Sequence, residues 1–165
     1  DGIRRCLDDV NIEIRHEEDG VQHMILNGQD VTGEIRTPEM SRYASGVSAQ
    51  KCVREYLLDM QRRFSRKHNV VMDGRDIGTV VLPNAQVKIF LTASPEERAK
   101  RRYDELTEKG ETCDLAAIEA DIIERDKRDM EREFAPLRQA EDATYVDSSD
   151  MTIDEVITAI TDLIH

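Results

Sequence analysis

Val70-Val71-Met72-Asp73-Gly74-Arg75-Asp76-Ile77-Gly78-Thr79-Val80-Val81 is the stretch on which the fold turns. Three consecutive apolar residues read as a short buried strand. The strand ends in two carboxylates and a guanidinium, with Gly74 allowing a tight turn between them. The same grammar repeats downstream. Val87 to Leu91 reads as a second strand and Ala143 to Val146 as a third. Helices separate them. Ser94-Pro95-Glu96-Glu97 is a capping box with Pro in the first turn, and its helix runs to about Lys109-Gly110. Asp114 caps a second helix, with Leu115, Ile118 and Ile122 on one face, that Pro136 ends. Thr152 with Glu155 forms another capping box, and Ile153, Val156, Ile157, Ile160 and Leu163 follow it at helical spacing. Strands alternating with helices predict an α/β fold, a parallel sheet flanked by helices.

The chain upstream has a different pattern. Residues 1–9 read as the tail of a helix. Val10, Ile12 and Ile14 alternate with Asn11, Glu13 and Arg15, which is strand period. Glu17-Glu18-Asp19-Gly20 reads as a turn, Val21 to Asn27 as a second strand, and Gly28 as a second reversal before a short third strand from Val31. Thr37-Pro38 then opens a helix whose buried face is Met40, Tyr43, Ala44 and Val47. A further helix carries Val53, Tyr56, Leu57, Met60 and Phe64 at 3,4 spacing. A small antiparallel meander with two helices is a separate architecture. The expected division is therefore an inserted subdomain at 1–66 and an α/β remainder at 67–165, with a lid helix region at about 94–132.

Composition bounds the function. The chain has 165 residues, close to one domain's length, and 39% are apolar. Lys and Arg total 23 against 35 acids, a formal charge of -12, which argues against a nucleic-acid polymer as partner. No apolar run reaches the length of a membrane span, so no membrane partner is expected. Cys6, Cys52 and Cys113 have neither zinc nor disulfide spacing, which places the protein in a reducing cytoplasm. The basic residues divide into 17 Arg and 6 Lys. Arginine's planar fork grips phosphate and carboxylate with two parallel bonds. Such a bias fits either a small-anion site or a surface on which arginines pair with the abundant acids.

Three clusters are candidates for chemistry. Asp73-Gly74-Arg75-Asp76 lies at a strand's carboxyl end, where open α/β sheets bind ligands, although a polar turn with a local ion pair has the same residues. In the charged run 124–133, Arg125, Arg128, Asp129 and Arg132 fall at i, i+3, i+4 and i+7 and share one helix face. Three arginines and an aspartate on one stripe suit a sugar phosphate; a solvated face laced with ion pairs is the plain alternative. Arg98, Arg101 and Arg102 form a third group, able to close over a polyphosphate or to balance nearby acids. The histidines His16, His23, His68 and His165 lack metal-ligand spacing.

Together the segments resemble the bacterial cytidylate kinase family, P-loop enzymes that act on nucleoside monophosphates. The matching stretches are Gly28 to Thr37, Asp73 to Val81, Val87 to Leu91 with Ser94 to Ala99, and Glu124-Arg125-Asp126 through Ala135-Pro136-Leu137. The resemblance covers essentially the whole chain. It implies a P-loop-kinase-like sheet, with 1–66 as the insert that binds the nucleoside monophosphate. It implies transfer of the γ-phosphoryl of ATP to CMP or dCMP, with Mg²⁺. Ser45, Arg54 and Asp76 match the positions that read the cytosine edge. Arg75 and Arg132 match those that hold the CMP phosphate, and Arg125 and Asp129 those that meet the ribose hydroxyls. Arg98, Arg101 and Arg102 fall in the family's lid, where Arg98 and Arg102, like Arg75 and Arg132, are assigned to catalysis. Asp73 is placed where a carboxylate approaches the magnesium.

One departure from the family pattern is large. The phosphate-cradling motif Gly-x-x-x-x-Gly-Lys-[Ser/Thr] does not occur in these 165 residues. In the family it precedes the point where this sequence starts, together with the first strand. These residues alone are therefore expected to hold the acceptor-binding and lid parts and to be inactive as a kinase. The parent enzyme is expected to be a monomer, and this piece to self-associate through an exposed sheet edge. The alternative is a non-catalytic nucleotide-binding or protein-interaction module derived from such a kinase.

Overall fold

The computed structural model describes residues 2–16, 20–48 and 50–164, excepting the side chains of His16, Pro38, Ser41, Arg42 and Ser45. Residues 17–19 of the expected first turn lie outside that description. The chain forms two compact units, one up to Asn69 and one from Val70 onward.

The first unit opens with α1 (Gly2–Leu7) and continues into a three-stranded antiparallel sheet of β1 (Ile12–His16), β2 (Gln22–Leu26) and β3 (Gln29–Asp30). Asn27 and Gly28, with φ of 50° and 85°, make the two-residue reversal between β2 and β3. A two-residue hairpin of this kind requires the left-handed region, which Asn-Gly tolerates best. The third strand is earlier than the expected start at Val31. It stops at Asp30 because that side chain turns the backbone, accepting from Thr32 N–H at 2.9 Å. Val31 N–H still reaches Met24 O at 2.9 Å. Two helices follow, α2 (Pro38–Ser48) and α3 (Lys51–Ser65). Thr37 caps the first, accepting from Met40 N–H at 3.2 Å. Among the described residues of this unit Ile25 and Val53 are buried, and the Tyr56 hydroxyl ties α3 back to Val10 O at 2.6 Å. Met40, Tyr43, Ala44 and Val47, the expected buried face of α2, are exposed.

The second unit holds a parallel pair, β4 (Ile89–Thr92) and β5 (Thr144–Asp147), in register from Ile89 opposite Thr144 to Thr92 opposite Asp147. The helices are α4 (Pro95–Glu108), α5 (Leu115–Glu131) and α6 (Ile153–Thr161). Val70-Val71-Met72 is not a strand: among the described residues nothing pairs with it, and Val71 is 100% exposed. An apolar triplet can join a ladder only where another strand presents its edge. Ile77–Val81 forms one π-helical turn, closed by Leu82 N–H to Ile77 O at 2.7 Å, and buries Val81.

The helix ends show which local signals held. Asp114 caps α5 through Ala117 N–H at 2.9 Å, and Thr152 and Glu155 form the full reciprocal box at α6. The box at α4 is half formed. Ser94 Oγ accepts from Glu97 N–H, but Ser94 N–H donates to Ser149 Oγ at 2.8 Å. Glu97 turns instead to Arg101. Gly110, at φ 77°, follows the end of α4 as a left-handed terminator. The α5 helix stops at Glu131, before Pro136. Arg132 is already extended, its Nε donates to Ala135 O, and Leu137 N–H turns back to Asp129 O. The helices α4 and α5 pack on each other, with Ala99 wholly buried. Among the described residues no helix is long and apolar enough to cross a membrane.

Candidate active site

The second unit brings together three arginines and three aspartates from separate stretches of sequence. They form one chain of alternating charge: Arg98, Asp126, Arg75, Asp129, Arg132, Asp76. Arg98 Nη2 lies 2.5 Å from Asp126 Oδ2, and Arg75 Nη1 is 3.5 Å from Asp126 Oδ1. Arg75 Nε is 2.8 Å from Asp129 Oδ2. Arg132 completes the series, 3.6 Å from Asp129 Oδ1 and 3.5 Å from Asp76 Oδ1. All six side chains are partly buried.

Local structure explains the convergence. Asp126 and Asp129 are three apart on α5, so they emerge on one face, and Arg132 follows at the end of that helix. The turn after Met72 delivers Arg75 and Asp76. Gly74 is needed there for closeness, since a Cβ on it would come within 2.9 Å of Ile77 Cγ1. Arg98 enters from the first turn of α4, and its Nε also donates to Ala93 O at 3.1 Å.

The network borders a cavity of about 530 Å³ within this unit, lined by Arg75, Arg98, Arg125 and Asp126 along with apolar side chains of β4. That volume is in the range of small-molecule sites. Burial pushes the Asp126 carboxyl up, but Arg98 and Arg75 together outweigh it and hold its pKa below the usual carboxylate value. Asp129 Oδ2 is buried and has no hydrogen-bond donor aligned on it, despite its short approach to Arg75.

The other candidate residues lie outside the ion-pair network. Arg128, on the predicted stripe, is 64% exposed and pairs with Glu124 at 3.7 Å. Arg125 is exposed at the cavity lining. Arg101 donates to Ser148 O at 2.6 Å and holds the end of β5, and Arg102 is exposed beside Glu105. Of the three expected lid arginines, Arg98 is the one in the network. Asp73 is exposed and lines the cavity; among the described residues no group of three or more His, Cys, Asp or Glu is placed to hold a metal. Arg54 is half-buried on α3 in the first unit. Ser45 falls on α2, but its side chain lies outside the described residues. Asp126 and Ser148 were missed in the sequence. Asp126 stands inside the Glu-Arg-Asp motif of the charged run, so its signal was present but indistinguishable from a solvated acid.

An arginine-rich pocket bordering a parallel β-strand pair is equipment for a phosphotransferase that handles nucleotides. The family model described as "Cytidylate kinase" matches residues 2–165, and the chain belongs to that family. The chain is 51% identical over 163 residues to a cytidylate kinase of Caldicellulosiruptor bescii, covering 99% of this chain and 72% of the relative. The cytidylate kinase of Lactobacillus johnsonii is 49% identical over the same length, with 70% of the relative covered. In Synechococcus sp. the match, 46% identical over 162 residues, spans 33% of a bifunctional pantoate ligase/cytidylate kinase.

Proposed function

We propose that the chain serves the transfer of the γ-phosphoryl of ATP to CMP or dCMP, and that its 165 residues carry the acceptor-binding and lid parts of that site. The alternating Arg–Asp network beside the cavity carries this reading. Arg75 and Arg132 bind the acceptor phosphate, exchanging carboxylate partners for phosphate oxygens of similar geometry. Asp129 accepts from a ribose hydroxyl as Arg75 turns to the phosphate, with Arg125 at the cavity lining assigned to the same ribose. Asp76 is assigned to the cytosine edge, which offers an amino donor beside ring acceptors, and the resemblance alone assigns Ser45 and Arg54 to cytosine recognition. Arg98 is assigned to the donor polyphosphate and neutralises charge that develops during transfer. Arg101 and Arg102 are assigned to the same lid function on the resemblance alone. The first unit is assigned to acceptor-nucleotide binding.

Mg²⁺ enters this reading with ATP, as part of the substrate. The donor set fits that role: Asp73 offers one carboxylate oxygen, and Mg²⁺ commonly completes its shell with substrate phosphates and water. The chain's own residues bind and orient the acceptor phosphate and the ribose.

Calorimetric titration of the folded chain with CMP, cytidine, UMP and AMP tests the proposal without ATP. CMP binding that exceeds that of cytidine, UMP and AMP supports it. A folded chain that takes up none of the four sinks the reading that these residues suffice to hold the acceptor.

A further inference from the structure

We propose that Asp126 is a positioning residue for phosphate recognition, holding the guanidiniums of Arg75, assigned above to the acceptor phosphate, and Arg98, assigned to the donor polyphosphate, in one fixed relation. The proposal rests on the acceptor-site reading above and adds to it a residue to which that reading gives no role.

The geometry is specific to this carboxylate. Its two oxygens are divided between two arginines that come from different elements. Oδ2 takes Arg98 Nη2 from α4, and Oδ1 faces Arg75 Nη1 from the turn after Met72. Its side chain is 17% exposed, less than either arginine it holds. Arg98 is fixed on its other side by Ala93 O, and Arg75 by Asp129. Asp126 therefore joins the end of β4, the first turn of α4, the middle of the charged run on α5 and the Asp73–Asp76 turn. Two guanidiniums brought this close repel each other, and a carboxylate shared between them offsets that repulsion while fixing the direction of both forks.

The cavity lining sets the class of ligand. Arg75, Lys88, Arg98, Arg125 and Arg138 line the cavity against Asp73 and Asp126, and Asp129 and Asp142 behind the lining pair with Arg75 and Lys88, so five cations face four carboxylates. The excess is positive and beside an apolar wall, which suits a phosphate monoester dianion. Asp126 does not touch that phosphate in this arrangement. It acts through the arginines, by keeping them ordered before the ligand arrives.

Asp126→Asn tests the role, with Asp126→Glu as the conservative variant and melting temperatures measured throughout. CMP and cytidine are titrated into each protein. The expected result is a loss of about tenfold in CMP affinity in D126N, the scale of a charge-assisted hydrogen bond, with cytidine affinity unchanged and D126E recovering part of the loss. Equal CMP affinity in D126N and the parent overturns the proposal and leaves the acceptor site standing. Parallel losses for CMP and cytidine together with a lower melting temperature also overturn it, since they mark a purely structural residue. Tighter CMP binding overturns it too, because Asp126 would then be a competitor for the arginines.

A second probe does not depend on nucleotide recognition. Inorganic phosphate is titrated while the side-chain Nε–H resonances of Arg75 and Arg98 are followed by NMR. Both signals are expected to be sharp in the parent and to shift together with phosphate, and both responses are expected to be lost in D126N. If the parent takes up no CMP yet shows this response, the nucleotide reading fails and the role of Asp126 stands. Signals that ignore phosphate in the parent, or that are unchanged in D126N, overturn it.

Discussion

Arg75 and Arg128 are the same residue type in the same unit, and they predict opposite outcomes. Arg75 is half-buried between two carboxylates, whereas Arg128 extends into water beside Glu124. Replacing Arg75 by Ala is expected to weaken CMP binding by about 1.5–3 kcal/mol, the usual range for a hydrogen bond to a charged group. The same experiment on Arg132→Ala is expected to give a loss of similar size. Arg128→Ala is expected to leave CMP affinity unchanged and stability within about 0.5 kcal/mol, because an exposed i,i+4 pair contributes little. Titration calorimetry on the three variants checks this, and an effect of R128A matching that of R75A contradicts the assignment. Arg75→Lys is not expected to rescue, since an ammonium cannot address two partners through a planar fork.

At the scale of elements, two local devices make separate predictions. The reciprocal box at the start of α6 satisfies two N-terminal donors, so Thr152→Ala is expected to cost about 1 kcal/mol. Chemical denaturation of the chain measures it, and an unchanged midpoint counts against the cap. The β2–β3 reversal depends on Asp30. Thr32 donates to its carboxylate from hydroxyl and backbone, and His23 Nδ1 lies 2.6 Å away, so its pKa is pushed down to about 2 from 3.8. A carboxyl with a lower pKa folded than unfolded stabilises the fold fully above the unfolded value. That contribution is lost as pH falls from about 4 through 2. The Thr32 and Met24 amide resonances are expected to lose their folded positions over that window, and Asp30→Asn to remove the transition. Amides that titrate identically in D30N would show that another group is responsible.

At the scale of the molecule, apolar surface is the main feature. Val71, Leu91, Tyr145, Ile153 and Ile157 of the second unit are all exposed. Exposed strand edges and apolar faces recruit partners. The chain is expected to sediment as a concentration-dependent mixture, and a single monomeric species across a wide range of loading concentration argues against that. Catalysis is also a property of this scale. With no Gly-x-x-x-x-Gly-Lys-[Ser/Thr] among the 165 residues, these residues assayed alone are expected to form no ADP from ATP and CMP. Robust CMP-dependent ADP formation would contradict the assignment of the chain to acceptor binding and lid alone. Selective CMP binding without turnover is the combination the proposal expects.

The residues show where local sequence suffices. Thr152-x-x-Glu155, Asp114, Asn27-Gly28 and Gly110 each act within a few residues of themselves, through a cap or a φ value, and so the sequence predicts the helix starts and the hairpin. Of the expected stripe Arg125, Arg128, Asp129 and Arg132, helical spacing holds only as far as Asp129: Arg132 is extended past the end of α5, and its pairing with Asp129 comes from the turn there. Burial is not local. Val70-Val71-Met72 has a buried strand's composition and no ladder, since a strand needs a partner edge that composition cannot supply. Glu97 has the capping-box spacing, yet Ser149, 52 residues away, takes its place at Ser94 N–H. Arg98, Arg101 and Arg102 are indistinguishable in sequence, and their distances to Asp126, Ser148 and Glu105 give them separate fates. The sequence by itself determined the family, the α/β class and the residue types of the site. Only the tertiary structure decided that Asp126 lies between two arginines from different elements, because Coulomb attraction and desolvation depend on distance in space and not along the chain.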